Sequence, residues 1–341
     1  MSESVTNRKP QSAIRLFAVI VIYKLRPAES PTLRTLCDAA RHNSKGELEL
    51  EILVWDNTPG GQDAGEIPDG VRYHSSPDNP GLARAYNSAL EIAHADGFDW
   101  LLTLDQDSLL PTNFLVRIVE LARTLQDVTE IGAIVPQITG DGRNLSPFQF
   151  FLGSIPRWFR YGFVGTPQGA TYALNSAATL RVTALRDVGG YDPMFPLDVS
   201  DINLFHRLFR AGKKVFVAGD LLISHDFSLL KKHRRMTMQR YNAMLLDECA
   251  FWDMNMGKLA RAERMVRLAG RACKDLMSPE NVEFRRRAIS ELKRRMSTPR
   301  KQRIAAWQAW AKERSTPSAR TNLSPPSASA DNSPSHVGEA Q

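Results

Sequence analysis

Apolar residues in this chain come in short unbroken runs, separated by stretches in which they recur at helical spacing. The runs Leu16–Tyr23, Leu101–Leu104 and Ile131–Val135, and Leu50–Trp55 broken only by Glu51, are too short for helices and nearly uniform in hydrophobicity, the pattern of strands buried on both faces, and Val71–His74 reads as a further short strand. Between them, Leu82, Ala85, Ala89, Leu90 and Ala93 fall on one helical face, a helix begins near Pro31, where proline suits a first turn, and another spans 113–126. Strand then helix, repeated, predicts an α/β fold with a mostly parallel sheet flanked by helices on both faces. Ligands of such sheets bind outside the carboxyl ends of the strands, and Tyr23, Asp56 and Asp105 all stand at those ends.

From about 141 to 180 the pattern becomes irregular and rich in Gly, Pro and aromatic residues, as in loops that line a pocket or pack over one another. A helix over Val182–Val188 stops at Gly189-Gly190, and a helix over Ile202–Arg210 stops at Gly212. Strand Val215–Val217 and segment Leu221–Asp226 complete the α/β part. The expected organisation is a disordered N-terminus (1–12), the α/β domain (13–226), a basic helical region (227–314), and a disordered tail (315–341) rich in Ser, Pro, Ala and Asn. Over its 341 residues the chain carries 44 Lys and Arg against 37 Asp and Glu, and much of the excess follows residue 230. That asymmetry predicts an anionic partner for the C-terminal part. Cys37, Cys249 and Cys273 lack metal-type spacing, which fits a reducing, cytoplasmic setting, and no run approaches the ~20 apolar residues of a membrane span.

The chemistry concentrates at Asp105-Gln106-Asp107. In an extended chain, residues two apart point to the same side, and two such carboxylates repel unless a cation sits between them, a role suited to a hard divalent ion with oxygen ligands. By itself the pattern equally suits a solvated strand-to-loop turn. Asp201, near the start of its helix, is by the same measure either a functional carboxylate or a cap.

Several segments in order resemble the nucleotide-sugar-dependent glycosyltransferases of family 2, with the GT-A fold, and in particular their bacterial rhamnosyltransferase-like branch. They are Val19–Tyr23, Ile52–Thr58, Asn79-Pro-Gly81 through Asn87, Leu104-Asp-Gln-Asp-Ser108, Ile131–Pro136, Asn175-Ser176 through Arg181, Gly189–Asp192, Asp198–Asp201 and Ser224-His225. They run from about 15 to 230. The resemblance implies that Tyr23 and Asp56 belong to a base and ribose pocket. Asn79, Arg84 and Asn87 would approach the nucleotide or hold the carboxylate loop. Asp105 would bind the donor ribose or water on the ion, Asp107 would bind Mg²⁺ or Mn²⁺ with help from Asp105 and His225, and Asp201 would be the catalytic base, with Asp198 as alternative base or acceptor contact. Lys24, Ala177, Ser200 and Leu204 depart from residues common in the family.

The activity so implied is inverting, metal-dependent transfer of a sugar, rhamnose among the candidates, from a nucleoside-diphosphate sugar to a glycan or lipid-linked acceptor in surface polysaccharide synthesis. The basic helices would touch the inner face of the cytoplasmic membrane. Two other classes compete. A nucleotidyltransferase would ordinarily bring a Gly-rich phosphate loop after its first strand, and Lys24–Glu29 has no glycine. A non-enzymatic basic membrane- or nucleic-acid-binding protein would show salt-sensitive phosphate binding, but no nucleic-acid module is recognisable and no nucleic-acid partner is expected.

Overall fold

The computed structural model describes residues 12–43, 46–152, 154–225, 236–274 and 282–315. The expected disordered N-terminus (apart from Ser12), the Lys231–Arg235 cluster and the tail beyond Ser315 lie outside them. The chain separates into two compact units, dividing between residues 235 and 236.

In the first unit, β1 (Ile14–Ile22), β2 (Leu48–Asp56), β3 (Val71–Ser75) and β4 (Trp100–Asp105) are the predicted strands, extended by a few residues. A two-residue strand β5 (Ser108–Leu109) and β6 (Ile131–Gly140) follow. The stretch expected to be irregular instead forms β7 (Arg143–Ser146), β8 (Phe148–Phe151), β9 (Ile155–Trp158), β10 (Val164–Gly165) and β11 (Ala178–Arg181). These strands are short and have no clean period-two alternation, so the hydrophobic pattern could not reveal them. The expected strand at 215–217 and the segment after it are one strand, β12 (Lys214–His225), whose register against β6 shifts between Ala218 and Leu222.

The main sheet has the order β10-β12-β6-β11-β4-β1-β2-β3. β1 pairs in parallel with β2 and β4, β2 with β3, and β6 with β12, whereas β11 lies antiparallel between β4 and β6. The sheet is therefore mixed, and parallel throughout the half built from β1 to β4. Helices α1 (Pro31–Arg41) and α3 (Phe114–Thr124) pack Leu33, Leu36, Phe114 and Ile118 against Leu16, Ala18 and Ile20 of β1. The alternate residues Phe17, Val19 and Val21 are equally buried, and α2 (Leu82–Ala95) covers β1 and β4 on that other face, beside α4 (Val182–Asp187). Burial on both sides explains the unbroken apolar runs. Helix α5 (Ser200–Arg210) carries its apolar side inward through Leu204, Phe205 and Leu208.

The second unit consists of α6 (Met238–Asn255), α7 (Lys258–Lys274), α8 (Val282–Ser297) and α9 (Arg300–Ser315). Tyr241, Leu245, Cys249, Leu268 and Ala288 form part of its core. Buried polar groups join its helices. Asp253 of α6 accepts from Arg295 of α8 at 2.7 and 3.1 Å and from Arg303 of α9 at 3.0 Å through each oxygen. Asp247, one helical turn and a half earlier, accepts from the Trp307 indole at 2.9 Å and from Arg314. Removing one partner of such a network leaves buried charges uncompensated, at a cost of ~3–5 kcal/mol. Asp253→Ala is therefore expected to lower the unfolding free energy of this unit by about that amount, read from the urea midpoint of its helical signal; a midpoint unchanged within error would show the network to be dispensable.

Candidate functional site

The parallel register sets three strand ends level. Ile22 at the end of β1 lies opposite Asp56 at the end of β2, and Val21 lies opposite Asp105 at the end of β4. Tyr23 follows directly. Asp56 is fully buried, and both its oxygens are engaged: one accepts from the Thr58 N–H at 2.8 Å and the other from the Tyr73 hydroxyl at 2.7 Å. Burial, then the Asp56 carboxylate, push the Tyr73 hydroxyl up to about 12, so it remains a donor at neutral pH. The neighbouring Asn57 donates to Gly81 C=O and accepts from the Trp55 indole, which ties the end of β2 to the start of α2.

The Asp105–Asp107 segment differs from the extended geometry expected of it. β4 ends at Asp105, Gln106 and Asp107 form a turn, and pairing resumes at Ser108; the period-two argument does not apply. The loop's conformation is imposed from α1. Ser30 donates to Gln106 C=O at 2.8 Å, Thr32 accepts from Ser108 N–H at 2.7 Å and donates to Ser108 C=O at 3.0 Å, and Thr35 accepts from Leu110 N–H. The Gln106 side chain accepts from Tyr23 N–H at 2.7 Å. Asp107 is buried. Asp105, half-exposed, accepts from the Tyr86 hydroxyl at 3.3 Å and from the Ser176 hydroxyl. On the far side, β12 pairs with β5 so that the backbone of His225 stands opposite Ser108, one residue from Asp107.

Behind these carboxylates a polar network crosses the protein. Asn87 accepts from Tyr191 N–H at 2.7 Å and donates to Tyr191 C=O at 2.8 Å. The Tyr191 hydroxyl donates to Asn175 at 2.8 Å, and Thr103 of β4 donates to the Asn175 carbonyl. Gly190 lies so close to Asn87 that a Cβ there would stand 2.4 Å from its side-chain oxygen. Asn87 thus holds the turn after α4. Arg84 is exposed in the first turn of α2 and makes no ion pair among the described residues. Asn79 has left-handed backbone (φ 45°), and a Cβ on Gly81 would fall 2.4 Å from Pro196 C=O, which places the loop before α5 against the start of α2.

Asp198 lies in that loop and Asp201 in the first turn of α5. Val199 between them has φ 67°, a conformation that costs a β-branched residue of order 1–3 kcal/mol and concentrates at functional sites. Lys24 and Ala177 also have positive φ, which accounts for Asn or Gly being natural at those positions. Asp201 accepts from its own helix's Ile202 N–H at 2.7 Å. Desolvation, reinforced by the Asp105 and Asp198 charges, pushes its carboxyl up to about 7. Burial beside Asp105 and Asp201 likewise raises the Tyr86 and Tyr191 hydroxyls well above their ordinary range.

Among the described residues, no group of three or more His, Cys, Asp or Glu side chains is clustered as a metal cage. Mg²⁺ commonly binds through one or two carboxylates together with waters and substrate phosphates. Asp105 and Asp107 fit that use; the His225 side chain lies outside what is described. Sequence reasoning missed the supporting residues Ser30, Thr32, Tyr73, Tyr86 and Tyr191. A Ser-x-Thr at a helix start was the available signal for the first two; the tyrosines were indistinguishable from core aromatics.

The model of the family described as Glycosyl transferase family 2 matches residues 18–189, just over half of the 341-residue chain. No curated protein matches. Among solved structures, S. aureus TarS 1-349 in complex with UDP-GlcNAc has a TM-score of 0.50 and 14% identity, covering 87% of this chain and 90% of that one. S. aureus TarS gives 0.50 and 11% over 88% of this chain and 53% of that one. GalNAc-T7 with UDP, GalNAc and Mn²⁺ gives 0.48 and 12% over 82% and 54%. The present chain thus spans about half the length of the last two. At these identities the likeness is one of fold.

The elevated pKa of Asp201 has a consequence for stability. Its folded value of about 7 lies above the ordinary 3.8, so the folded state binds this proton more tightly than the unfolded chain. The resulting stabilisation is complete below about pH 4 and is lost as pH rises through 7. Asp201→Asn has no such loss. In metal-free buffer the variant is expected to melt above the wild type at pH 8, with the difference shrinking toward pH 4; a pH-independent difference would contradict the burial of a charged Asp201.

Proposed function

The chain belongs to glycosyl transferase family 2, and we propose that it transfers a sugar from a nucleoside-diphosphate donor to a hydroxyl of a glycan or glycolipid acceptor, with inversion at the anomeric carbon. The observation that carries the reading is the meeting of two kinds of carboxylate at one sheet edge. Asp105 ends β4, Asp107 lies in the turn whose flanking backbone α1 clamps, and Asp201 is desolvated and strengthened as a base by its acidic neighbours.

In this reading Tyr23 and the Asp56 loop receive the base and ribose, with Asp56 acting largely through Thr58 and Tyr73, whose bonds occupy its oxygens. Arg84 and Asn79, at the start of α2, meet the donor phosphates, where helix N–H groups and a cation both favour negative charge. Asn87 holds the Gly190–Tyr191 turn and so acts on the donor through position. Asp107, with Asp105 and His225, would hold Mg²⁺ or Mn²⁺, which when bound supplies positive charge to the departing diphosphate. Asp201 takes the proton from the acceptor hydroxyl as its oxygen attacks the anomeric carbon from the face opposite the leaving group. A base with pKa near the working pH is half deprotonated when needed and strong enough to accept the proton. Asp198 stands three residues earlier as the acceptor contact or alternative base.

Rhamnose as the transferred sugar rests on the Leu104–Ser108 form of the motif. Synthesis of a surface polysaccharide on the cytoplasmic side, with the basic C-terminal helices meeting anionic lipid, rests on the charge asymmetry. Among the described residues no helix is long and apolar enough to cross a membrane.

A panel of nucleotide sugars, with and without Mn²⁺, screened for protection against thermal unfolding identifies the donor, because a ligand that binds only the folded state raises its stability. With that donor, Asp201→Asn is expected to lower turnover by roughly 10²–10⁴-fold, the scale of general base catalysis, while donor affinity stays near wild type. Retention of turnover would move the base to Asp198. Asp107→Ala is expected to abolish the Mn²⁺-dependent part of donor protection as well as turnover; unchanged values would remove the metal role from Asp107.

A further inference from the structure

The second unit contains a narrow cleft between α6, α7 and α8, open in part to solvent and enclosing a volume of only about 10 Å³. Arg264, Arg267 and Arg271 of α7 line it from one helix face, at the i, i+3, i+7 spacing that stacks side chains, and Arg295 of α8 joins them. A single carboxylate, Glu248, belongs to the lining. It pairs with both Arg264 and Arg271. The walls beside it are Leu245, Cys249 and Leu268, so the charges sit against apolar surface, where each interacts more strongly than in water.

The surrounding carboxylates do not restore the balance. Glu263 pairs with Arg267, Asp253 is shared by Arg295 and Arg303, and Glu291 is shared by Arg287, Arg294 and Arg295. Among the described residues, seven arginines thus divide four carboxylates. A purely structural ion-pair network gains nothing from three surplus cations, since like charges at this range repel. Desolvation and the charges of Arg271, Arg267 and Arg295 push the Arg264 guanidinium down to about 9. A guanidinium keeps its proton in a protein at neutral pH, so Arg264, paired with Glu248, remains a cation among cations.

We infer that this cleft is a binding site for a phosphate group, monoester or diphosphate, separate from the carboxylate site of the first unit. The gradation of exposure fits entry from solvent: the Arg267 and Arg271 side chains are 39% and 37% exposed, Arg264 11% and Arg295 3%. The outer pair reaches the ligand while the inner pair supplies the field. Guanidinium forks match phosphate oxygens two at a time. With so little enclosed space, the ligand is a terminal phosphate held at the mouth by the exposed Arg267 and Arg271, either free in solution or at the head of a lipid.

The test uses the full chain. Thermal unfolding is followed with inorganic phosphate and pyrophosphate at constant ionic strength, for wild type, Arg267→Gln/Arg271→Gln and the charge-retaining Arg267→Lys/Arg271→Lys. The wild-type melting temperature is expected to rise with phosphate, the Gln pair to lose at least half of that rise, and the Lys pair to keep most of it. Helical content by circular dichroism establishes that each variant folds; if the Gln pair does not, Arg267→Gln alone is compared with Arg267→Lys. An equal rise in wild type and the Gln variant would overturn the assignment, as would no rise in wild type. Flotation with vesicles of phosphatidylcholine alone or with phosphatidic acid separates the sources. Phosphatidic-acid binding lost in the Gln variant identifies a lipid headgroup, and phosphate stabilisation without flotation identifies a soluble phosphate.

Discussion

Repulsion between carboxylates gathered at one sheet edge is the constraint that the first unit is built to withstand. Asp105 and Asp198 both act on Asp201, and neither Asp105 nor Asp201 has an arginine or lysine ion pair among the described residues. Neutral donors are present instead. Ser176 and Tyr86 serve Asp105, and a backbone N–H serves Asp201. Such donors hold carboxylates without neutralising them, so the negative potential remains for a cationic ligand or a transferred proton. The stability given up in this way is recovered in the double-sided core around β1 and in the hydroxyl clamps of α1 on the loop.

The second unit meets the opposite excess by a different route. There the arginines stay charged at neutral pH, so most of the carboxylates are shared: Glu248, Asp253 and Glu291 each take more than one guanidinium. One unit stores negative charge with neutral hydrogen bonds and the other stores positive charge with too few anions. Both arrangements leave a polarity that a ligand of opposite sign can complete.

Much of the first unit was legible because its central strands are buried on both faces, and an apolar run as short and uniform as Leu16–Tyr23 fits little else than such a strand. The carboxyl-end positions of Asp56 and Asp105 followed from the same runs. The segment 141–180 was opaque for a physical reason: strands of two to four residues are too short for a hydrophobic period to show. The antiparallel insertion of β11 between β4 and β6 left no local trace either. Within the site, side-chain types were readable and their commitments were not. Asn87 looks in sequence like a ligand contact, and only the fold reveals that both ends of its amide are taken by the Tyr191 backbone. Asp107 was expected on the same side as Asp105 by an extended-chain argument, whereas it lies buried in the turn that follows the strand.

That insertion of β11 also dictates an order of assembly. β1, β2, β3 and β4 lie within residues 14–105 and pair with one another in parallel, so the half of the sheet bearing Asp56 and Asp105 needs no later residue to form its ladder. β11, by contrast, joins β4 only after some seventy further residues have been made, and β12 closes on β6 later still. During synthesis the N-terminal part emerges first. Until β11 arrives, the edge of β4 is an unpaired strand beside exposed apolar residues, the kind of surface that recruits another chain. The newborn protein therefore exposes that edge while Ala178–Arg181 is still being made, and a cell that makes the protein at high level has reason to shield it.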